Sequence, residues 1–286
     1  MNNPPQAIAT AEQLVHLSRP QNILYPGLLA ALSCYLAGDS GVRTAVYCYL
    51  FIAVLYTIAV VYNNHIDRRT DRMNRRQDNP LAHGKLSTNT VWLFLIANIL
   101  LLGFLQTGLE QPASFIIGLA YLCLAFAYSN RIINIQSRGW WAPLLLAACY
   151  GSLPLLLGLS QLDELEATNL VVLGLLAMQI LLIFPVVLAK DYKDLSGDRA
   201  TNKRTPLVRY GATIVQNTAR LAAIFAVVAC IALVEQLSLS FVSLLAVYVL
   251  FVFYIHQMKR TPHWAIQKAG MVCTLAISLL LLESVV

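Results

Sequence analysis

Apolar stretches, each close to one bilayer in length, alternate along the chain with short polar segments. They cover approximately residues 22–38, 44–64, 90–109, 113–130, 140–159, 168–189, 211–234, 238–257 and 265–284. A hydrocarbon core about 30 Å thick takes roughly 20 residues of helix, and backbone groups in lipid must find partners within their own segment. The pattern therefore predicts an all-α polytopic membrane protein with nine transmembrane helices in a bundle.

The polar segments between the spans divide by sign. Arg19, the basic residues from Arg68 to Lys85, Arg131, Arg138, those from Lys190 to Arg209, and Lys259, Arg260 and Lys268 all fall on one side of such a bundle. Asp39, Glu110, Asp163, Glu164, Glu166, Glu235 and Glu283 fall on the other, with Arg43 as the one basic residue there. Cytoplasmic loops are enriched in Lys and Arg, so the N-terminus is expected in the cytoplasm and the C-terminus outside.

Composition agrees with the pattern. The 286 residues are 58% hydrophobic and 12% charged, and a mean hydropathy of +0.65 lies outside the range of soluble domains. The net charge of +6 is what insertion topology requires, so no nucleic-acid partner is expected. Residues 1–20 lack the apolar core of a cleavable signal, and no organelle-targeting extension is visible, which points to a prokaryotic plasma membrane. The six cysteines fall in predicted spans without CxxC spacing and suit packing better than metal or disulfide roles.

A polar stretch occurs twice. NNHIDRRTDRMNRRQDNPL begins at Asn63, and KDYKDLSGDRATNKRTPL begins at Lys190. Both contain D-x-x-x-D-R, at Asp67, Asp71 and Arg72 and again at Asp194, Asp198 and Arg199, followed by basic residues and Pro-Leu. The copies follow the second and sixth spans, so an even number of crossings returns the chain to the same face. Parallel repeats would then bring both clusters together. The chain divides into repeat halves at about 15–138 and 139–268 with a final helix at about 265–284, all within a single domain, 1–286.

On a helix running out of the second span, Asn63, Asn64, Asp67 and Asp71 recur at spacings of three and four and form a polar stripe. Asp194 and Asp198 repeat the spacing, with Asp191 one turn earlier; Gly197 weakens the helix slightly. Carboxylates at a membrane edge are costly and face a cavity or a partner. Hard oxygen ligands backed by Arg and Lys suit Mg²⁺ bridging to phosphate oxygens. A single copy would fit solvated helix-end charges as well, but the duplication favours a shared site.

These residues resemble the signatures of the UbiA superfamily of intramembrane prenyltransferases. Asn63-Asn64-x-x-Asp67-x-x-x-Asp71 with Asn79-Pro80-Leu81-Ala82-His83-Gly84 is similar to its first motif. Lys190-Asp191-x-x-Asp194-x-x-Gly197-Asp198-Arg199 with Lys203-Arg204-Thr205 is similar to its second. The Arg19 to Asn22 segment and Tyr128-Ser129 add to the likeness, which covers essentially the whole chain. The resemblance implies a bundle that binds an isoprenyl diphosphate through Mg²⁺ and transfers the prenyl group to an aromatic or other lipophilic acceptor within membrane lipids.

By the same resemblance Asp67, Asp71, Asp194 and Asp198 are the metal ligands and catalytic carboxylates. Asn63, Asn64, Arg72, Lys190, Arg199, Lys203 and Arg204 are diphosphate candidates. Arg19, Asn22, Tyr128, Arg131 and Asp191 are expected around the acceptor or behind the ligands. Trp140 and Trp141 read as interfacial anchors. Three departures bear on the substrate: Asn64 stands where the family commonly has aspartate, Asn79 where it has arginine, and Ile132 where it has a basic residue. A membrane terpene cyclase would use the same aspartates without an acceptor. A transporter built on parallel repeats is disfavoured because both clusters lie at one membrane face.

Overall fold

The computed structural model describes residues 6–36, 41–74, 76, 78–109, 111–162, 170–234, 238–258 and 264–285. The predicted loop residues Asp39, Arg75, Glu110, Asp163, Glu164, Glu166, Glu235, Lys259 and Arg260 lie outside the described set. Regular structure among the described residues is helical throughout. The first half contains α1 (Gln6–Ser18), α2 (Leu24–Leu36), α3 (Val42–Ile66), the short α4 (Arg68–Met73), α5 (Thr88–Gln106) and α6 (Ala113–Ser129). The second contains α7 (Trp141–Ala147), α8 (Leu153–Leu159), α9 (Leu170–Leu188), the short α10 (Asp191–Ala200), α11 (Pro206–Leu233), α12 (Leu239–Gln257) and α13 (Trp264–Val285). A π turn at Ala148–Ser152 joins α7 to α8, and α11 breaks at Gly211, where φ is 79°.

Each predicted apolar stretch is helical over most of its length. Among the described residues six segments are long and apolar enough to cross a membrane: Val42–Ile66, Thr88–Gln106, Trp141–Leu159, Leu170–Leu188, Pro206–Leu233 and Leu239–Gln257. Leu24–Leu36 and Ala113–Ser129 are shorter apolar helices. On α5 the buried Val91 and Leu95 face neighbouring helices, while Leu93, Leu100 and Phe104 are exposed. A helix apolar on all sides is suited to contact protein on one face and lipid on the other.

The buried residues form two cores that largely follow the two halves, with α2 contributing Tyr25 and Leu29 to the second and the π turn and α8 contributing Cys149 and Leu157 to the first. Phe51, Leu55, Leu95 and Ile117 belong to the first; Leu175, Leu182, Tyr248 and Ile277 belong to the second. Each half reads, in order, two apolar helical segments, a short polar helix and two more apolar helices, and the short helices α4 and α10 touch. Gly197 makes that contact possible. It lies within α10, and its N–H donates to Asn74 Oδ1 at 2.7 Å. A Cβ on Gly197 would sit 2.1 Å from that oxygen.

Pro185 lies inside α9 and has no N–H to offer the Leu181 carbonyl. The Tyr248 hydroxyl, from α12, donates to the neighbouring Leu182 carbonyl at 2.8 Å and lies 3.5 Å from that of Leu181. His256 Nε2–H donates to the Pro185 carbonyl at 2.8 Å, which leaves Nδ1 to accept from the Tyr192 hydroxyl at 3.2 Å. The irregular end of α9 is thereby tied to α12 and, through Tyr192, to α10.

Helices in lipid gain little from burial as such and depend on close packing of small residues. At the α2–α8 crossing a Cβ on Gly158 would come within 2.0 Å of Ser33 Oγ and 2.4 Å of the Ala30 carbonyl oxygen. Gly158→Ala is expected to cost about 2 kcal/mol and to lower the thermal unfolding midpoint in detergent. Gly103→Ala, whose Cβ would meet nothing within 4 Å, should leave it in place; equal midpoints for the two variants would refute this account of the crossing.

Candidate functional site

α3 ends at Ile66 and α4 begins at Arg68, with Asp67 at the junction in a near-helical conformation (φ −83°, ψ 3°). The i→i−4 bonds Asp67 N–H to Asn63 O and Asp71 N–H to Asp67 O, both 2.8 Å, carry the helical path across the joint. Asn63 and Asp67 therefore stay on one face, and both line a cavity of about 250 Å³ at the end of the bundle. From the second half Lys190, Asp191, Asp194, Asp198 and Lys203 line the same cavity. Arg19, Asn22 and Tyr128 line it too.

Cations cross between the halves to meet the carboxylates. Arg76 Nη1 lies 3.4 Å from Asp71 Oδ1 and 3.5 Å from Asp194 Oδ2, so one nitrogen bridges the two motif copies. Lys203, after the second copy, lies 3.1 Å from Asp67 Oδ2 in the first. Asp67 also accepts from Gln136 Nε2 at 3.0 Å and from Asn63 Nδ2 at 3.2 Å, and the Asn63 amide donates to Ser129 Oγ at 2.9 Å. Lys190 Nζ donates to the Tyr128 hydroxyl at 2.8 Å.

The remaining predicted residues are placed elsewhere. Asn64 is fully buried with its back to the cavity: it accepts from Arg19 Nη2 at 2.6 Å and donates to the Leu17 carbonyl at 3.0 Å. Consecutive helical residues point about 100° apart, so Asn63 and Asn64 cannot share a face, and the expected polar stripe loses one member. Asp71 is buried beside Asn79, whose amide donates to it at 2.7 Å, and it is absent from the cavity lining. Arg72 donates to the Ala82 carbonyl at 2.7 Å and holds the segment after α4. Arg131, Arg199 and Arg204 are exposed and outside the cavity. Trp141 is exposed, and Trp140 stacks on Tyr210 with ring centroids 5.0 Å apart.

Arg76 and Gln136 are site residues that sequence reasoning did not single out, whereas Ser129 enters there only as part of the Tyr128-Ser129 likeness. Arg76 was one basic residue among many, and only its reach into the second half distinguishes it. Asn79, noted as a departure, is a connector: besides Asp71 it bonds the Asn64 carbonyl at 2.9 Å and accepts from Ala82 N–H at 3.3 Å.

The electrostatics follow from burial. Desolvation raises the carboxyl of Asp71 against the pull of Arg76 and Asn79. It also raises Asp191 against Lys190 and Lys203. Asp198 is pushed up to about 7 by burial, only partly offset by Lys203. Burial disfavours the Lys203 ammonium, but Asp67 and its other neighbours outweigh this and raise its pKa.

Among the described residues no three His, Cys, Asp or Glu side chains converge into a metal cage. The donors facing the cavity, Asp67, Asp191, Asp194, Asp198 and Asn63, offer hard oxygens from two sides. That donor set fits Mg²⁺, which binds through one or two carboxylates and completes its shell with water and substrate phosphates.

Fold and site together define a helical bundle with a carboxylate- and cation-lined chamber at one end. The chain belongs to the UbiA prenyltransferase family, whose sequence model matches residues 23–277, and it is a multi-pass integral membrane protein. It is 28% identical over 158 residues to the bacteriochlorophyll synthase 33 kDa chain of Cereibacter sphaeroides, covering 55% of this chain and 51% of that one. It is 29% identical over 214 residues to digeranylgeranylglyceryl phosphate synthase of Methanoregula boonei, covering 72% and 70%. The match thus spans about half the length of the first relative. A solved UbiA homologue from Archaeoglobus fulgidus, bound to GPP and Mg²⁺, shares the fold with a TM-score of 0.68 at 13% identity, over 95% of this chain and 99% of its own.

The Asp198 shift has a defined sign. A proton held in the folded protein and released in the unfolded chain favours the fold. Its contribution is full below the ordinary carboxylate range, about 4, and is lost as pH rises through about 7. In metal-free protein the melting temperature of Asp198→Asn relative to wild type is therefore expected to climb between pH 4 and 7. A difference that stays flat across that window would show that Asp198 ionises normally.

Proposed function

We propose that the cavity binds an isoprenyl diphosphate with Mg²⁺ and that the protein transfers the prenyl group to an aromatic or other lipophilic acceptor. The observation that carries this reading is the crossing of Arg76 and Lys203, which gathers carboxylates and cations of both motif copies on one chamber. Family membership and the GPP- and Mg²⁺-bound homologue support it.

Asp67, Asp194 and Asp198 would hold the metal, and Asp71 would fix Arg76 in place. Magnesium, when bound, supplies positive charge at the diphosphate oxygens. Lys190, Lys203, Arg76 and Arg19 neutralise the departing diphosphate, which leaves with the electron pair of the allylic C–O bond. The acceptor carbon donates the electrons of the new bond and then loses a proton. The apolar wall, including Leu145, Ile183, Val187 and Ile255, keeps water from the carbocation. Asn63 orients the head group, and Asp191, on the cavity wall, supports the second cluster. Arg72 and Asn64 serve the site through loop and helix placement, Asn22 faces the cavity, and Arg131, Arg199 and Arg204 lie outside it.

The same reading takes the bundle as nine membrane spans in two parallel four-helix repeats plus a final helix, within one domain. The N-terminus and the motif helices are assigned to the cytoplasm of a prokaryotic cell and the C-terminus to the outside; the basic segments after α3 and α9 support that orientation.

Purified protein in lipid, given Mg²⁺ and geranyl diphosphate, is expected to release little pyrophosphate until an aromatic or quinol acceptor is added. Asp67→Ala and Asp194→Ala should each lower turnover by at least about 100-fold. A cyclic hydrocarbon formed without acceptor would replace transfer by cyclisation, and full activity without Mg²⁺ would remove the metal from the reaction.

A further inference from the structure

Arg220 lies within the apolar stretch 211–234, on α11, and outside the cavity lining. It stands about 13 Å along the helix from the break at Gly211. An arginine within a membrane span is costly and is placed against a partner. Among the described residues no carboxylate forms an ion pair with Arg220, and its buried Nε has no hydrogen-bond partner. Its guanidinium carbon is held over the Phe253 ring, 5.1 Å from the centroid.

The depth of this charge is set by α12. Phe253 is one turn before the end of that helix at Gln257, and that end lies beside α10, because His256 accepts from the Tyr192 hydroxyl. The guanidinium therefore sits about one turn inside the face of the bundle that carries both motif helices. Gln216, one turn before Arg220, donates to the His256 carbonyl, so this edge of α11 faces α12. Thr213 and Asn217 precede Arg220 by seven and three residues, which puts them on its side of the helix, and both are exposed. The exposed Ile214, Leu221 and Phe225 around them make a surface suited to lipid.

The groove between α11 and α12 thus has an apolar rim, a fixed cation and two neutral hydrogen-bonding side chains. Neither helix contains an Asp or Glu, and the exposed charges from the end of α10 to the start of α11, Arg199, Arg204 and Arg209, are all basic. We infer that Arg220, with Asn217 and Thr213, binds the headgroup phosphate of a membrane phospholipid that carries net negative charge. A guanidinium whose plane is fixed on an aromatic ring can meet two phosphate oxygens at once. The apolar rim takes the acyl chains, so the phosphate comes from lipid. With no carboxylate to receive an ammonium group, the basic surroundings favour an anionic headgroup over a zwitterionic one.

The test uses the full-length protein, delipidated in detergent and mixed with equal amounts of phosphatidylglycerol and phosphatidylcholine of the same acyl chains, with bound lipid counted by native mass spectrometry. Wild type is expected to bind phosphatidylglycerol about tenfold more tightly. Arg220→Gln should bring the two affinities together, and Lys85→Gln, which removes the same charge from an exposed position in the first half, should leave the ratio in place. Phosphatidylglycerol with a photoreactive headgroup should cross-link to wild type on α11 and α12 near Arg220 and Phe253, a readout that stands even if Arg220→Gln does not fold. Equal affinities in wild type, a preference that survives Arg220→Gln or is lost equally in Lys85→Gln, or cross-links confined to other segments would overturn the site. Displacement of the lipid by inorganic phosphate would overturn it as well, by making the ligand a free anion.

Discussion

The structure depends on placing carboxylates from two sequence-distant segments around one small chamber at the end of an apolar bundle. Asp67 comes from one half, with Asp71 buried behind it outside the cavity lining, and Asp191, Asp194 and Asp198 come from the other. Buried like charges repel, and each loses hydration. Arg76 and Lys203 answer both problems because each reaches from its own half to a carboxylate of the other. Burial still raises Asp71, Asp191 and Asp198, so the cluster retains an unmet demand for positive charge. That residual demand suits a site that takes up a divalent cation with an anionic partner.

The scaffold around the cluster serves the same constraint. Asn74 docks on the Gly197 N–H and fixes the distance between α4 and α10. Asn79 ties Asp71 to the end of α3 through the Asn64 carbonyl, and Arg19 reaches Asn64 from the junction after α1, with φ 49°. On the other side, Tyr192 and His256 link α10 to the Pro185 kink. A left-handed arginine and a proline inside a helix are each costly in isolation. Both occur where a chain segment must turn to deliver a side chain to the cavity or to its support.

Polarity falls from the charged rim to the apolar wall of the cavity. The chamber therefore presents two environments in one volume, one charged and one apolar. Substrates with separate charged and apolar parts match such a gradient, because each part is desolvated only where the protein replaces its lost interactions.

The positions of the helices were legible in the sequence, because bilayer thickness sets the length of an apolar run and unpaired backbone in lipid forces it to be helical. The pairing of the two acidic stretches was legible too, since the same spacing recurs around Asp67 and Asp194 with an even number of predicted crossings between. What the tertiary structure decided is which side chains face the chamber. Asn63 and Asn64 are equivalent in a motif but diverge by the twist of one helical residue, and only packing against α1 turned Asn64 away. Arg76 and Gln136 carried no signal because only the tertiary contacts across the halves distinguish them from other polar loop residues, and the span residues on the cavity wall carried none because spans apolar on every face leave helix rotation undetermined until the neighbours that lock it are in place.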